Sequence, residues 1–533
     1  MSSPSEITGA ILVGAEERLG AHTFTAIDPA TGAQLLPPFQ EAGGAEVAAA
    51  CALAAEAFGP FSELTLSERA GFLECAAAEI EGLGVALIDR AGTETGLPRG
   101  RLEGERQRTV GQLRFFAGIV REGAWIDATL DPAKPDRVPL PRPDLRRRHV
   151  ALGPVAVFGA SNFPLAFSVA GGDSAAALAA GCPVVVKGHP AHPGTGELVA
   201  RAMQAAVAKC GLPSGTFSYL PGTTQGLGAA LVADPRIRAV GFTGSRAGGL
   251  ALAKIASQRP EPIPVYAEMS SINPVILFPG AARSRGAQLG QAYVASVTLG
   301  SGQFCTNPGV LLYLEGTDLN AFRAAAVAAM SECQAQTMLT PAIHASFSRG
   351  IDRLTQHEAV QAIARGPAVS GDNRAQSGLF AVDAAQFVAD ARLREEIFGP
   401  ASLMVRADNI DELGAVVDAL EGQLTATVLF DTEDTELVAA LLPHLERKAG
   451  RIIGNGWPTG VEVCHAMVHG GPYPATTDGR STSVGALAIQ RFLRPVCYQN
   501  LPDPLLPAAL RSDNPLQVMR RVDGVLVKES GRC

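Results

Sequence analysis

A cysteine in a glycine-rich turn is the first candidate for chemistry in this sequence. Cys305 lies in SGQFCTNPG, just after Gly302 and Gln303 and just before a Pro-Gly break. A thiol at such a junction can lie beside backbone N–H groups, which lower its pKa and can hold an oxyanion. The motif therefore predicts a nucleophilic cysteine, although an isolated cysteine in such a turn is also typical of a small buried residue.

Glu268 and Asn162 each follow a short β-branched run and are candidates for a base and an oxyanion donor. Glu268 ends PIPVYAE, and a carboxylate at the end of a buried strand lies where open α/β sheets bind ligands. Partial burial would raise its pKa toward that of a useful base, whereas a solvent-facing Glu would have no such role. Asn162 in GASNFP offers two uncharged donors to a carbonyl oxygen, or else forms the turn before Phe-Pro.

Two further motifs predict a place for a dinucleotide. VGFTGSRAGG has the pattern of a strand, a turn and a helix start, and it sets Ser245 between Gly244 and Gly249 where a helix N-terminus would stabilise a pyrophosphate. The run lacks the spaced GxGxxG of the commonest dinucleotide motif. Lys187 ends PVVVKG, within reach of an adenosine ribose or its phosphate, although a strand-end lysine is also typical of solvated surface.

Histidines elsewhere in the chain do not predict a metal site. The spacing of Cys464, His465 and His469 loosely resembles that of zinc ligands, but the run leads directly into the turn sequence GGPYP. A helical face that presents two imidazoles is therefore not expected there. His189 and His192 in GHPAHPG are interpreted as loop residues. We expect no bound metal.

The elements that would position these residues change in character along the chain. Residues 45–123 have helical spacing, and proline recurs through 127–148, which predicts an extended excursion. From residue 150 to 268 short β-branched runs alternate with Gly- and Ala-rich helical stretches, the pattern of successive βαβ units and a parallel sheet. A second alternating set from 273 to 478 predicts another α/β domain. The proline-rich residues 484–533 are less regular.

Composition excludes several classes of protein. The chain has 533 residues, 44 basic and 52 acidic, and a net charge of −8, so nothing favours a nucleic-acid partner. The 9 cysteines lie far apart without CxxC, which is typical of reduced thiols in the cytoplasm. No signal peptide or membrane span is evident. We therefore expect a cytoplasmic protein of two or three domains.

The order and spacing of these motifs resemble the aldehyde dehydrogenase superfamily over nearly all of residues 24–501. The positions that match the family's functional residues are Asn162, Lys187, Ser245, Glu268, Cys305, Glu396 and Phe398. The resemblance implies that Cys305 is the nucleophile, Glu268 the general base and Asn162 the oxyanion donor. An aldehyde would then be oxidised to a carboxylic acid through a thiohemiacetal and a thioester.

The resemblance also implies the remaining roles and the architecture. Lys187 and Ser245 match the residues that hold the adenosine ribose and the pyrophosphate, and Glu396 and Phe398 in EEIFGP match the pair that positions the nicotinamide riboside. We expect an α/β fold with a homodimeric or homotetrameric assembly. Its parts would be a Rossmann-type parallel-sheet cofactor domain (1–130 and 153–268), an α/β catalytic domain (269–478), a small β oligomerisation element (131–152 and 479–500) and a C-terminal tail (501–533).

Three positions depart from the family pattern. Pro190 stands where NAD-preferring members commonly carry a Glu, and the loss of that carboxylate removes its repulsion of a 2′-phosphate. We therefore expect NADP as the preferred cofactor and NAD as the alternative. The run MSS after Glu268 replaces a common Gly pair, which could change how freely Glu268 swings. Gly300 stands where an Asn is common, and the sequence offers no account of it.

The C-terminal run HGGPYPATTDGRSTSVG and the following RFLRPVCYQNLP resemble one branch of the superfamily. That branch contains 2,5-dioxovalerate (α-ketoglutaric semialdehyde) dehydrogenases and NADP-dependent bacterial long-chain fatty aldehyde dehydrogenases. The resemblance implies a bacterial catabolic enzyme that oxidises 2,5-dioxovalerate to 2-oxoglutarate, with a fatty aldehyde or another semialdehyde as the alternative. A CoA-acylating dehydrogenase and a non-catalytic binding protein are the remaining alternatives. The presence of Glu268 argues against the first, and the presence of Cys305 argues against the second.

Overall fold

The β-branched runs of residues 150–268 form the parallel strands of a first sheet, as their alternation predicts. The computed structural model describes residues 6–369 and 371–528. In spatial order the seven strands are Val265–Glu268, Ala239–Thr243, Val155–Phe158, Val184–Lys187, Phe217–Leu220, Ile11–Val13 and Glu16–Arg18. The first five are parallel, so their carboxyl ends share one edge. The two N-terminal strands, too short to leave a periodic signal, extend the sheet antiparallel.

Helices cover both faces of this sheet. Along each strand alternate residues point to opposite faces, so Val155 and Val157 lie in one buried cluster and Ala156 lies in another. The helices of this domain are Gly44–Ser62, Leu66–Gly82, Gly84–Thr95, Arg99–Glu122, Gly172–Ala180, Pro193–Lys209, Gln225–Ala233 and Arg246–Ser257. The first four confirm the helical prediction for residues 45–123.

A second seven-stranded sheet is built in the same way. Its strands in spatial order are Gln361–Arg365, Gly378–Asp383, Ala401–Ala407, Val310–Leu314, Val275–Leu277, Gln423–Leu429 and Ala449–Gly454. All neighbours are parallel except the first pair. The helices on its faces are Pro279–Thr298, Asn320–Glu332, Pro341–Gln356, Ala384–Ala389, Ile410–Ala419 and Thr435–Lys448. Two buried clusters flank this sheet, so it forms a second α/β domain.

A third sheet of five strands is not hydrogen-bonded to either seven-stranded sheet. Its strands in spatial order are Leu493–Gln499, Leu145–Ala151, Thr129–Asp131, Arg520–Val522 and Val525–Val527. The last two belong to the predicted C-terminal tail, so the boundary expected at residue 500 does not separate a tail from this element. The predicted proline-rich excursion forms its central strands and the loop between them. Residues 1–5 and 529–533 of the predicted segments lie outside the described residues.

Short two-stranded pairings complete the fold. Thr23–Ile27 pairs antiparallel with Gln34–Gln40, and Gln336–Thr337 pairs antiparallel with Arg374–Ala375. None of the helices in the described ranges combines the length and the apolar character that a membrane crossing requires. Functional residues are expected at the carboxyl edge of the first sheet, because ligands bind at the carboxyl ends of parallel strands.

Packing between two helices of the second domain supports the element that carries Cys305. Phe322, fully buried on Asn320–Glu332, faces Tyr293 on Pro279–Thr298 with ring centroids 5.7 Å apart. We predict that Phe322→Ala lowers the free energy of unfolding by about 3–5 kcal/mol, because it removes buried apolar surface and leaves a cavity. Urea unfolding checks this. Val85→Ala, at a position 60% exposed, serves as the control, and equal effects would contradict the packing argument.

Candidate active site

The backbone before Cys305 turns sharply, which brings the thiol to the carboxyl edge of the first sheet. After the helix Pro279–Thr298, three consecutive residues adopt left-handed backbone angles: φ is +56° at Gly300, +57° at Ser301 and +65° at Gly302. A Cβ at Gly302 would lie 2.2 Å from the carbonyl oxygen of Gly399. The turn therefore requires glycine at this position, as the motif around Cys305 suggests.

Asn273 connects the loop that carries Cys305 to the second sheet through hydrogen bonds. Its Nδ2 donates to the backbone oxygens of Cys305 and Asn307, each at 2.9 Å, and its Oδ1 accepts from Ser271 and Thr425. Asn273 is fully buried just before the strand Val275–Leu277. The side chain thus fixes the position of the Cys305 backbone relative to that strand.

Cys305, His469 and Glu268 lie together, with one atom of each within 4.8 Å of the others. His469 Nε2 lies 3.0 Å from Glu268 Oε1 and 3.5 Å from Cys305 Sγ. The hydroxyl of Ser483 donates to Glu268 Oε2 at 2.8 Å. The structure therefore brings the predicted nucleophile and the predicted base together, and it adds His469 and Ser483 to them.

The ionisation of Glu268 differs from the sequence-based expectation. Burial alone would raise its pKa, but the charge and hydrogen bond of His469 and the hydrogen bond from Ser483 outweigh burial and hold the pKa below the ordinary value. The expected upward shift was wrong because it considered burial without these two donors. Glu268 therefore stays a carboxylate at neutral pH and can accept a proton.

The thiol of Cys305 has the opposite shift. Its pKa lies well above the ordinary value because of burial and because the charge of Glu268 disfavours a second negative charge beside it. The resting side chain is therefore a thiol. A proton acceptor within reach is then required for attack by sulfur, and Glu268 is such an acceptor.

Asn162 lies next to the cysteine loop, as the sequence predicts. Its buried amide Nδ2 donates to the backbone oxygen of Gln303 at 3.0 Å, which uses one of its two hydrogens. Arg101 Nη2 donates to the Asn162 backbone oxygen at 2.6 Å. The Asn162 amide therefore lies beside the loop that carries Cys305.

Gly300, which had no explanation from the sequence, leaves space for Arg101. A Cβ at Gly300 would lie 2.5 Å from Arg101 Nη1. The guanidinium lies between the rings of Phe163 and Phe304, at 4.9 Å and 4.5 Å from their centroids. A larger residue at this position would displace the cation that connects the Asn162 turn with the Cys305 loop.

A cleft of about 1380 Å³ opens from Cys305 and Glu268 along the carboxyl edge of the first sheet. The predicted cofactor residues that line it are Lys187, Gly244, Ser245, Glu396 and Phe398. Its volume and its lining of small residues fit a dinucleotide. The predicted Gly249 does not line the cleft, and Gly248 lines it instead. A Cβ at Gly249 would lie 2.8 Å from Met269 Sδ, so this glycine allows close packing of its helix.

Ser245 caps the helix that begins at the cleft. Its Oγ accepts from the backbone N–H of Gly248 at 3.2 Å at the start of Arg246–Ser257. The other N–H groups of the first turn and the positive end of the helix dipole favour an anion here. The arrangement fits a pyrophosphate, as the motif predicts.

The run MSS after Glu268 has a structural role at the end of the cleft near Cys305. The hydroxyl of Ser270 and the N–H of Ser271 donate to the carboxyl group of Glu396, which is half-buried. Burial, opposed by these donors, raises the pKa of Glu396 to about 8. The two serines therefore position Glu396 rather than leave free space beside Glu268.

Lys187 and His189 line the opposite end. Burial lowers the pKa of Lys187 to about 8, partly offset by the charge of Glu41. His189 and His192 lie in the loop before Pro193–Lys209, as interpreted from the sequence; His192 is fully buried, His189 is half-buried, and the centroids of their stacked rings are 5.3 Å apart. Pro190 also lines the cleft. This end thus carries one cation and no carboxylate at position 190.

His469 and Ser483 are the site residues that sequence reasoning missed. The zinc-like spacing drew attention to His469 together with His465, but His465 packs against Phe115 with ring centroids 5.0 Å apart. His469 instead meets Glu268, which is 201 positions away in the chain. The available signal was the unusual run HGGPYPATTDGRSTSVG, which begins with His469 and contains Ser483.

Comparison with known proteins shows the family to which the chain belongs. Residues 17–488 match the sequence profile of the aldehyde dehydrogenase family, and the chain belongs to this family of NAD(P)+-dependent oxidoreductases. It is 56% identical over 521 residues to alpha-ketoglutaric semialdehyde dehydrogenase 2 of Azospirillum brasilense, which covers 97% of this chain and 99% of that one. It is 48% identical to alpha-ketoglutaric semialdehyde dehydrogenase of Acinetobacter baylyi, covering 92% and 93% of the two chains.

Solved structures of more distant relatives share the fold. The NAD+ complex of an aldehyde dehydrogenase from Bacillus cereus superposes with a TM-score of 0.78 at 21% identity, covering 92% of this chain and 96% of that one. A 1-pyrroline-5-carboxylate dehydrogenase also has a TM-score of 0.78 at 21% identity, covering 92% of each chain. These comparisons confirm the predicted α/β aldehyde dehydrogenase fold.

The contact between Glu268 and Cys305 predicts a pH effect. In Glu268→Gln the negative charge beside the thiol is lost, so the pKa of Cys305 falls and the midpoint of its alkylation by iodoacetamide moves to lower pH, by about one unit or more. Mass spectrometry of the Cys305 peptide measures the rate at each pH. Glu261→Gln, a change at an exposed acid, serves as the control, and an unchanged or higher midpoint in Glu268→Gln would contradict the contact.

Proposed function

We propose that the protein oxidises 2,5-dioxovalerate, which is α-ketoglutaric semialdehyde, to 2-oxoglutarate. The observation that carries the chemistry is the cluster of Cys305, Glu268 and His469 at the inner end of a dinucleotide-sized cleft. The substrate is supported by the two relatives of that name, which match this chain at 56% and 48% identity over nearly its whole length.

In the first half-reaction Cys305 becomes covalently attached to the substrate. Glu268 takes the proton of the thiol as Sγ attacks the aldehyde carbon, because its carboxylate is ionised and in contact with the thiol. Asn162 Nδ2 and the Cys305 N–H stabilise the oxyanion of the tetrahedral adduct. Lys187 and Ser245 would hold NAD(P)+, which would supply the acceptor for the hydride that leaves this carbon.

In the second half-reaction water releases the product. Glu268 first releases to solvent the proton that it took from the thiol. It then accepts a proton from a water molecule that attacks the thioester carbonyl, and collapse of the adduct breaks the carbon–sulfur bond. The carboxylic acid leaves and Cys305 recovers its proton. His469 and Ser483 hold the Glu268 carboxylate for both steps through Oε1 and Oε2. A CoA-acylating reaction needs no such water-activating base, so acyl-CoA formation would overturn this proposal.

We further propose how the enzyme assembles and where in the cell it lies. We place the contact between copies at the third sheet, whose last strand exposes Val525 and Leu526, and infer a homodimer or homotetramer. The described cysteines are all free, which supports a reducing, cytoplasmic location.

The nucleophile is tested by substitution. We predict that Cys305→Ala lowers NAD(P)H formation from 2,5-dioxovalerate by more than about 1000-fold, because no other described thiol lies in contact with Glu268, while cofactor binding persists. Spectrophotometric turnover and cofactor titration are the two measurements. Cys464→Ala is the matched control. Retained turnover in Cys305→Ala would contradict the assignment, and absence of turnover by the unmodified enzyme would contradict the proposed function.

NADP is proposed as the preferred cofactor, since Pro190 lines the ribose end of the cleft where a carboxylate would repel a 2′-phosphate. We predict that Pro190→Glu lowers kcat/KM for NADP about 10-fold to 100-fold relative to NAD. Initial rates with both cofactors measure the ratio. Pro190→Gln, which has the same shape without the charge, is the control. An equal change in both variants, or a preference of the unmodified enzyme for NAD, would contradict the proposal.

A further inference from the structure

Two arginines near Cys305 have no role in the chemistry described above. Arg108 lies on the helix Arg99–Glu122, and Arg451 lies on the strand Ala449–Gly454. Neither lines the dinucleotide cleft. Both guanidinium groups nevertheless interact electrostatically with the Cys305 sulfur. They therefore add positive charge close to the reacting sulfur without taking part in the cofactor site.

The position of Arg108 is fixed by its helix. Arg101, Glu105 and Arg108 are spaced at i, i+4 and i+7, so they share the face that packs on the Asn162 turn. The buried Glu105 accepts from the backbone N–H groups of Leu165 and Ala166, at 2.8 Å and 3.0 Å. These bonds tie the helix to the turn that carries Asn162, and hence set the position of Arg108 next to it.

Both arginines hold the same loop. Arg108 Nη1 donates to the backbone oxygen of Val461 at 2.5 Å, and Arg451 donates to those of Gly460 and Pro458, at 2.8 Å and 2.9 Å. The charge of Arg108 also acts on Arg451, since the pKa of Arg451 is lowered first by burial and then by Arg108. The result is a pair of adjacent cations on a fixed support.

The free edge of Arg108 has the geometry of a carboxylate receptor. Its Nε and Nη2 atoms are buried and have no hydrogen-bond partner. These two nitrogens form the side edge of a guanidinium, which matches the two oxygens of a carboxylate in a bidentate pair. Arg451 Nε is likewise buried without a partner. Buried donors of this kind are costly unless a ligand satisfies them.

No side chain in the described ranges neutralises these cations directly. No salt bridge within the described residues involves Arg108 or Arg451. The acids that act on Arg108 from a distance are Glu105, Glu462 and Glu268. Glu105 is engaged by backbone N–H groups, Glu268 by His469 and Ser483, and Glu462 is exposed. An anion that enters beside Cys305 would thus find donors that are not already paired.

A chain of ring contacts connects the cation to the sulfur. The Arg108 guanidinium lies 5.3 Å from the centroid of the Phe167 ring, and this ring lies 6.1 Å from that of His469. His469 Nε2 is 3.5 Å from Cys305 Sγ. The Phe167 and His469 rings thus link the Arg108 guanidinium and the Cys305 sulfur within one cluster of side chains.

We propose that Arg108, with Arg451 beside it, binds the carboxylate at the far end of an aldehyde substrate and so selects oxo acids over neutral aldehydes. This inference rests on the proposed function and narrows it to substrates that carry an anionic group remote from the aldehyde carbon. Arg108 forms the bidentate pair through Nε and Nη2, and Arg451 adds charge and one further donor. A long-chain fatty aldehyde has no group that satisfies these donors.

A different role for Arg108, stabilisation of the Cys305 thiolate, predicts a different result. Loss of such stabilisation would slow the attack of sulfur on every aldehyde by a similar factor. Loss of a carboxylate receptor slows only the oxidation of aldehydes that carry the carboxylate. The comparison of a charged and a neutral aldehyde of the same chain length therefore separates the two roles.

The experiment measures kcat/KM of the full-length enzyme for 2,5-dioxovalerate and for pentanal at saturating cofactor. In Arg108→Gln we expect kcat/KM for 2,5-dioxovalerate to fall about 10-fold to 100-fold relative to that for pentanal, as for the loss of hydrogen bonds to a charged group. The fall should appear mainly in KM, because the carboxylate is bound equally in the ground state and in the transition state. Arg114→Gln, a change at an exposed position of the same helix, is the matched control and should leave the ratio unchanged.

A second measurement does not depend on turnover. Calorimetric titration of the unmodified enzyme with 2-oxoglutarate should show binding that Arg108→Gln weakens by a similar factor and Arg114→Gln does not. Equal loss of activity on both aldehydes, or equal affinity of Arg108→Gln and the unmodified enzyme for 2-oxoglutarate, would overturn the proposal. If Arg108→Gln does not fold, Arg451→Gln is measured in the same way. If the unmodified enzyme oxidises neither aldehyde, the proposed function fails, and the titration still decides whether Arg108 binds the anion.

Discussion

The structure around the candidate site depends on how a fully buried carboxylate is kept ionised. Glu268 ends a strand of the first sheet, and burial alone would favour its neutral form. The segment after the second sheet returns across this edge and supplies His469 to one carboxylate oxygen and Ser483 to the other. These two donors reverse the effect of burial. A carboxylate that can accept a proton thus lies in contact with a thiol that retains one.

The two α/β domains contribute different parts of the site. The first sheet provides the edge at which Glu268, Lys187 and the Asn162 turn lie together, and its helix starts favour a pyrophosphate. The second domain carries Cys305 on a left-handed turn that Asn273 fastens in place. Neither domain alone forms the cluster. The chemistry that we propose therefore requires the interface between the domains, and Arg108 and Arg451 extend this interface toward the far end of the substrate.

Sequence reasoning predicted what depends on local pattern and missed what depends on distant contact. The strands of the first sheet and the turns that carry Asn162, Ser245 and Cys305 have local signals, and the family resemblance gave them an order. His469 meets Glu268 across 201 positions, and no local pattern encodes that pairing. The short strands Arg520–Val522 and Val525–Val527 left no periodic signal either. The direction of the Glu268 pKa shift was wrong for the same reason, because its two donors come from a distant segment.

In the proposed mechanism Cys305 carries the acyl group, and Glu268 activates the water that hydrolyses the thioester. Acid quenching of the Glu268→Gln enzyme during turnover with 2,5-dioxovalerate and NADP, followed by mass spectrometry of its peptides, tests this most directly. At a pH above the lowered pKa of Cys305 in this variant, where the thiolate forms without Glu268, we expect the acyl group of the substrate to accumulate on the peptide that contains Cys305 and to be far less abundant in the unmodified enzyme. An acyl group on another residue, or NADPH formation in Glu268→Gln without any acyl-enzyme, would contradict it.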